Sequence, residues 1–362
     1  MSSAPRWPQP RRYLRLAAPL AAVMVIIVVF LPLAGPVDFQ VFFRAGHALL
    51  HGQPLYPRLG TPAVYSGYSF VYPYFASWPF AALATLPSGV ASAVFFGLCA
   101  GAVTAATLAG TDGDGWSATL VLGTAFTVTG LQLGSLSPLL FAGVVVLWRL
   151  RDRPIAFGLL AAPVVASKVF LAPILLWPLV AGRYRAFAWA AGATALLLGA
   201  GFLIGPLGPH RYVQMLSALS SHEARSGFGL DGALRNRGVP AAPAQLITFA
   251  LAGLLFAGSY THYRRSRDER ALFIGAILGS LVMTPVLWSH YFVLLPAAVI
   301  VLDAPRRWLA VLAIASWAIA PPHNFDVDPP LLAGLATAGA WLASAAALVL
   351  YAARARRRNR AA

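Results

Sequence analysis

The chain has 362 residues, of which 59% are apolar and 10% are Asp, Glu, Lys or Arg, with a formal net charge of +16. Charged residues make up about 25% of an ordinary soluble domain, and a disulfide framework needs pairs of cysteines, whereas this chain holds Cys99 alone, so a soluble enzyme, a disordered chain and a disulfide scaffold are all excluded. Apolar runs cover most of the length at a mean hydropathy of +0.71. Lipid leaves no water for unpaired backbone groups, so the reading is an all-α polytopic membrane protein. The positive charge does not point to nucleic acid, because the basic residues sit in short clusters between apolar runs, which is the pattern of topology signals in a membrane partner.

In chain order, residues 1–15 form a basic segment rich in Pro and Arg. The run 16–35 is too long for a signal-peptide core and reads as an uncleaved first helix. A long connection, residues 36–87, follows. Its stretch Gln40–Leu50 places Gln40, Arg44 and His47 among apolar residues, a spacing that suits a helix lying in the membrane interface. Phe70–Leu86 is apolar, but Pro73 and Pro79 break it, so a re-entrant or surface-lying segment is expected rather than a crossing. Further spans fall near 88–110, 117–134, 136–149, 154–167, 169–181 and 186–205. After a second long connection, 206–243, come spans near 244–260, 271–288, 291–303, 307–321 and 331–352, and then a basic tail, 353–362. That gives about twelve spans in a domain over 16–352, several of them shorter than a perpendicular crossing needs and so expected to be broken or partial.

The arginines orient this bundle. Clusters at Arg6/Arg11/Arg12/Arg15, Arg149/Arg151/Arg153, Arg183/Arg185, Arg264/Arg265/Arg267/Arg270, Arg306/Arg307 and Arg354/Arg356/Arg357/Arg358/Arg360 fall on one side. The positive-inside rule makes that side, with both termini, cytoplasmic in a plasma-membrane protein. The other side keeps Arg44, Arg58, Arg211, Arg225, Arg235 and Arg237. Inner loops are short and carry no Gly-rich phosphate loop. Chemistry is therefore expected at the two long outer connections.

Asp38, in Gly35-Pro36-Val37-Asp38-Phe39, lies where the first helix leaves the membrane. It can be a general base whose pKa burial has raised, or the N-cap of the helix that follows. Lys168 is the only lysine, set between two apolar runs. It is either a snorkelling boundary residue or a compact charge for a phosphate. His290, in Trp288-Ser289-His290-Tyr291, can take a proton near neutral pH or simply belong to an aromatic belt. Arg235 and Arg237 can clamp a phosphate, or Arg235 can pair locally with Asp231. Asp112-Gly113-Asp114 reads as a cytoplasmic turn. Asp326-Val327-Asp328 could offer oxygens to Ca²⁺ or Mg²⁺, or be a solvated turn between prolines. Tyr56, Tyr65, Tyr68, Tyr72, Tyr74 and Trp78 suit sugar stacking and a membrane interface equally. A transporter or flippase remains a rival, but its charged sites should lie near the midplane, whereas these candidates gather at the outer boundary.

Several stretches carry a resemblance when taken together. They are Asp38 to Tyr56, with its Gly52-Gln53-Pro54-Leu55-Tyr56; Phe70-Val71-Tyr72-Pro73-Tyr74; Leu133-Gly134-Ser135-Leu136-Ser137-Pro138; Ser167-Lys168-Val169-Phe170-Leu171-Ala172-Pro173; Leu230 to Arg235; and Trp288-Ser289-His290-Tyr291. In this order they resemble glycosyltransferase family 87, polyprenyl-phosphate-mannose-dependent mannosyltransferases of the GT-C superfamily, with Ser135 where that family usually carries Gln. The resemblance implies a GT-C-type bundle that moves mannose with inversion from a polyprenyl-phosphate donor to a lipid or glycan acceptor outside the membrane. It implies Asp38 as base with His290 as alternative or helper, and Lys168 and Arg235 on the donor phosphate. Arg44, Tyr56, Tyr72, Trp288 and Tyr291 would touch substrate, and no metal or other cofactor would be needed. Another lipid-linked sugar, such as arabinofuranose, and the identity of the acceptor stay open.

Overall fold

A computed structural model describes residues 11–30 and 35–320. The expected span 331–352, the Asp326/Asp328 pair, the segment before Arg11 and the basic tail lie outside them. All the regular secondary structure among the described residues is helical. Helix α1 (Arg11–Val25) runs into a π turn, Ile26–Phe30, and α2 (Val37–Leu50) follows. The rest of the first long connection holds 3₁₀ turns at Pro62–Tyr65 and Tyr74–Ser77 and the six-residue α3 (Trp78–Leu83). Six helical residues reach about 9 Å, far short of a hydrocarbon core, so this segment lies against the bundle rather than across it. Then come α4 (Ser88–Gly110), α5 (Gly115–Leu122), α6 (Ala125–Leu133), α7 (Ser137–Arg149), α8 (Pro154–Ser167), α9 (Pro173–Val180) and α10 (Tyr184–Ile204). The second long connection contains α11 (Pro209–Glu223) and α12 (Leu230–Asn236). The chain continues through α13 (Ala241–Ser266), α14 (Arg270–Met283), a 3₁₀ turn at Ser289–Val293, α15 (Leu294–Val301) and α16 (Arg307–Ile319).

Three of these, α4, α10 and α13, are long and apolar enough to cross a membrane, at 23, 21 and 26 residues. The expected single span 117–134 is instead two helices. Thr124 turns its side chain to accept from the Thr127 amide, which starts α6 afresh after α5 stops at Gly123. A break in an apolar bundle exposes backbone groups that lipid cannot satisfy. Helix α16 supplies the partners: Ser316 Oγ accepts from the Ala125 amide at 2.8 Å, and Trp317 Nε1 donates to the Gly123 carbonyl at 2.8 Å. The expected span 271–288 likewise ends early, at Met283, because Pro285 cannot continue a helix and pushes Thr284 into an extended conformation.

One large core runs through the helices. In it Trp177 of α9 meets Trp148, Phe157 and Phe273 at ring separations of 5.7, 5.5 and 5.0 Å. One end of the bundle is tied by ion pairs: Arg183 to Asp152 and Glu269 at 2.8 and 2.7 Å, Arg306 to Asp114 and Arg149 to Asp112. The Asp112-Gly113-Asp114 stretch is a turn there, and Asp114 caps α5 through the Trp116 amide. At the other end the two long connections pack on each other. Val64, Tyr212 and Met215 form a small buried cluster, Tyr65 stacks on His222 at 4.5 Å, and the Tyr212 hydroxyl donates to the Val71 carbonyl at 3.3 Å.

Candidate functional site

Asp38 sits in the first turn of α2. It is not the N-cap: that position is Pro36, and no side chain caps the helix. The capping role that the sequence left open is therefore excluded, because the carboxylate stands two residues inside the helix. What seats this turn is apolar packing. Phe39 and Phe42 are fully buried, and Phe39 rests on Gly134, which ends α6 with φ of +64°. A Cβ at Gly134 would come within 2.5 Å of Phe39 Cβ, so glycine is required both by the backbone and by the contact. On the same helix, a methyl group at Gly46 would overlap the Phe80 carbonyl of α3, so this glycine lets α3 lie directly on α2.

Lys168 occupies the break between α8 and the 3₁₀ turn Val169–Leu171, with an extended backbone that stops the helix. Its Nζ donates to the Tyr72 hydroxyl at 3.0 Å and to the Tyr291 hydroxyl. It lies 4.2 and 4.8 Å from the two ring centres, so cation–π attraction adds to the hydrogen bonds. Tyr72 is itself held: its ring packs on Phe42 at 4.5 Å, and the Tyr56 hydroxyl donates to its carbonyl at 2.9 Å. Tyr291 leans on Phe170 at 5.3 Å. His290, 5% exposed, stands edge-on to Tyr291 at 4.5 Å. Four separate stretches, around residues 38, 72, 168 and 290, thus meet at one place.

Asp38 and Lys168 act on each other without touching. Burial pushes the Asp38 carboxyl up to about 6, against the pull of the Lys168 charge. Burial draws Lys168 down to about 8, against the pull of Asp38. No ion pair within 4.0 Å joins them, and among the described residues Asp38 has no hydrogen-bond partner. The cluster therefore offers a carboxylate that changes protonation near neutral pH and, across a gap, a cation held by neutral hydroxyls. That is a place where a proton can be taken and a phosphate met.

The other expected residues have their own contacts. Arg235 is buried in α12 with its Nε 2.9 Å from Asp231 Oδ2, so the local pair is formed. Arg237 donates to the Ala233 carbonyl at 3.2 Å within its own turn. Arg44 is exposed, on the face of α2 away from Phe39 and Phe42. Trp288 is half-buried just before the 3₁₀ turn that carries His290. Ser135 is buried and accepts from the Ser137 amide at 3.3 Å. A buried polar residue that the motifs do not single out is Gln132, whose amide donates to the Phe30 carbonyl at 2.9 Å and so ties α6 to the end of the π turn that follows α1. Its signal in the sequence is a lone amide in an apolar run. Among the described residues, no group of three or more His, Cys, Asp or Glu is placed to hold a metal ion.

A family model described as glycosyltransferase family 87 matches residues 70–289. The match takes in Tyr72 and Lys168, begins after Asp38 and stops one residue before His290. No curated protein and no solved structure matches the chain.

Proposed function

The chain belongs to glycosyltransferase family 87 and is a membrane glycosyltransferase, and from that premise we propose that it transfers mannose, with inversion, from a polyprenyl-phosphate donor to a lipid or glycan acceptor at the Asp38–Lys168 cluster. The observation that carries this reading is the facing pair itself: among the described residues, a carboxylate without a hydrogen-bond or ion-pair partner and a lysine whose hydrogen-bond partners are neutral. An acceptor hydroxyl lies against Asp38. Its oxygen attacks the anomeric carbon while Asp38 takes its proton. The bond from that carbon to the phosphate oxygen breaks, and the polyprenyl phosphate leaves with the electron pair. Lys168 meets the negative charge that develops there, and Tyr72 and Tyr291 hold its ammonium group in place. His290, beside Tyr291, helps orient the sugar. Arg235, engaged with Asp231, has no assigned step, and Lys168 supplies the fixed charge.

The same reading sets the orientation. The ion-paired arginine end faces the cytoplasm by the positive-inside rule, the long connections face outward, and both termini lie on the cytoplasmic side of the plasma membrane. Nucleotide sugars are absent outside, which favours a lipid-linked donor. The prenyl tail lies between helices in a GT-C-type bundle, and no metal is assigned a step.

The test is sugar transfer by the purified chain in lipid, with polyprenyl-phosphate-mannose as donor and mannosylated lipids as acceptors. Product from the native chain and a loss of about 10²-fold or more in Asp38→Asn are expected. Full activity in that variant overturns the base assignment. Transfer only from an arabinofuranosyl lipid overturns the donor, and translocation of the lipid-linked sugar without transfer overturns the class of activity.

A further inference from the structure

The connector between α14 and the 3₁₀ turn that carries His290 and Tyr291 is not helical. Thr284 is extended at ψ of 126° and Trp288 at ψ of 154°, so the helical ladder lapses and backbone groups there need partners from elsewhere. A distant stretch, Gly227-Phe228-Gly229 of the second long connection, lies on this connector. The Phe228 amide donates to the Leu287 carbonyl at 2.6 Å, and the Phe228 ring stands edge-on to Phe292 at 6.3 Å. A Cβ at Gly227 would stand 3.0 Å from the Leu287 carbonyl oxygen. One at Gly229 would stand 3.2 and 3.3 Å from the carbonyl oxygens of Thr284 and Pro285. These neighbours are backbone atoms, which cannot turn aside as the end of a side chain can.

Neither glycine is there for its conformation. Gly227 has φ of −93° and ψ of 171°, and Gly229 has φ of −75° and ψ of 151°, extended backbone that any residue adopts. The close approach alone requires glycine. The stretch is also held from behind. Gly232 of α12 packs so closely on the Ala224 carbonyl that a methyl group would overlap it. The Asn236 side-chain amide donates to the Arg225 carbonyl at 2.9 Å, so the 3₁₀ turn Ala224–Ser226 and α12 close into one block. That block bears on the connector through residues 227–229. Just beyond the connector, the Tyr291 hydroxyl accepts from Lys168.

We propose that Gly227 and Gly229 are positioning residues of the transferase: their close seat on residues 284–287 sets where Tyr291 stands, and through Tyr291 it holds the ammonium group of Lys168 against the donor phosphate. This deepens the proposed function and rests on its placing of that phosphate at Lys168. A methyl group at either glycine forces the connector to give by a few tenths of an ångström. Tyr291 moves with the connector, and its hydrogen bond from Lys168 weakens with the lost alignment. Tyr72, which Tyr56 of the first long connection holds, keeps its place. The second long connection thereby acts on the chemistry through a backbone contact, without these glycines touching a substrate.

The test is a double-mutant cycle on the full-length chain in lipid, with Gly229→Ala, Tyr291→Phe and the two combined. Each single variant is expected to lower kcat for transfer from polyprenyl-phosphate-mannose about tenfold, and the combination also about tenfold, because both act on one hydrogen bond. The same cycle is read by calorimetric binding of farnesyl phosphate, the donor's phosphate on a short prenyl chain. A weakening of about fivefold is expected in each single variant and in the combination. Losses that multiply in either readout overturn the proposal, since a glycine needed only for stability acts independently of the Tyr291 hydroxyl. Should Gly229→Ala not fold, Phe228→Leu takes its place, because it keeps the backbone and only trims the ring on Phe292. Its expected loss is about threefold in the native background and none in the Tyr291→Phe background. Coupled binding by a chain that transfers no mannose sustains the positioning role and overturns the mannosyltransferase reading. Transfer with uncoupled losses overturns the positioning role alone, and a native chain that neither transfers nor binds farnesyl phosphate overturns both.

Discussion

The two ends of the bundle use charge in opposite ways. At the arginine end every described charge in the Arg183 network is answered: Arg183 spans Asp152 and Glu269 and also donates to the Arg151 carbonyl at 3.0 Å. At the end with the long connections, Lys168 donates to two tyrosine hydroxyls, and among the described residues Asp38 has no hydrogen-bond or ion-pair partner. Partly exposed ion pairs of the first kind contribute about 0.2–1 kcal/mol each and fix helix ends. Unpaired charges of the second kind cost stability in the free protein and are repaid when a ligand brings the missing partner. In the proposed function, the contrast separates charges that hold the fold from charges that meet a substrate.

The sharpest way to break this comparison is Asp38→Asn, which keeps shape and removes the base. Its kcat is expected to drop by about 10²–10⁴-fold with an unaltered melting temperature, and an active variant would place the proton transfer elsewhere. Next is Lys168→Met, for which a drop in kcat of about 10²-fold and weaker donor use are expected. Single-turnover kinetics at saturating donor would show it, and normal donor dependence would remove Lys168 from the phosphate.

The pH profile follows from the same two residues. Asp38 must be deprotonated, so the rate should climb through about pH 6, where burial has placed its carboxyl. Lys168 must be protonated, so the rate should fall above about pH 8. Of these limbs, Lys168→Met should lose the alkaline one, and a profile identical to the native one would contradict the assignment.

Gly134→Ala probes how the site is seated. A methyl group there meets Phe39 and strains a positive φ, with a cost of about 1–3 kcal/mol. A lower melting temperature together with reduced kcat is expected, whereas an unchanged kcat would uncouple α6 from Asp38. The smallest effect belongs to Arg183→Gln, which should lower stability by about 1 kcal/mol or less and leave transfer kinetics as they are. A loss of activity in that variant would merge the two ends in function.

Much of the candidate site could be read from rarity. In a chain with a single lysine and eleven acids, Lys168 and Asp38 stand out at once, because an apolar environment makes each charge costly. The partners could not be read this way. Tyr72 and Tyr291 were visible as aromatic residues near the interface, but nothing local says that both hydroxyls turn to one ammonium group. Arg235 carries two readings in the sequence, and only the structure shows its contact with Asp231. Gly227 and Gly229 were visible only as glycines in a long connection, and their contact with residues 284–287 depends on how two distant stretches pack.

The division has a physical cause. Composition, apolar runs and charge clusters are sums over neighbouring residues, and lipid imposes its demand on each segment separately. Sequence alone therefore determined a helical membrane protein, its long connections and the few charges that need an explanation. Helix breaks and charge partners depend on groups far away in the chain. The break at Gly123–Thr124 persists because Ser316 and Trp317 satisfy it, the turn that carries Asp38 is seated by Phe39 on Gly134, and Lys168 is held by two tyrosines. Those outcomes were decided by tertiary packing, where the energy of a buried charge is set by what surrounds it rather than by what precedes it.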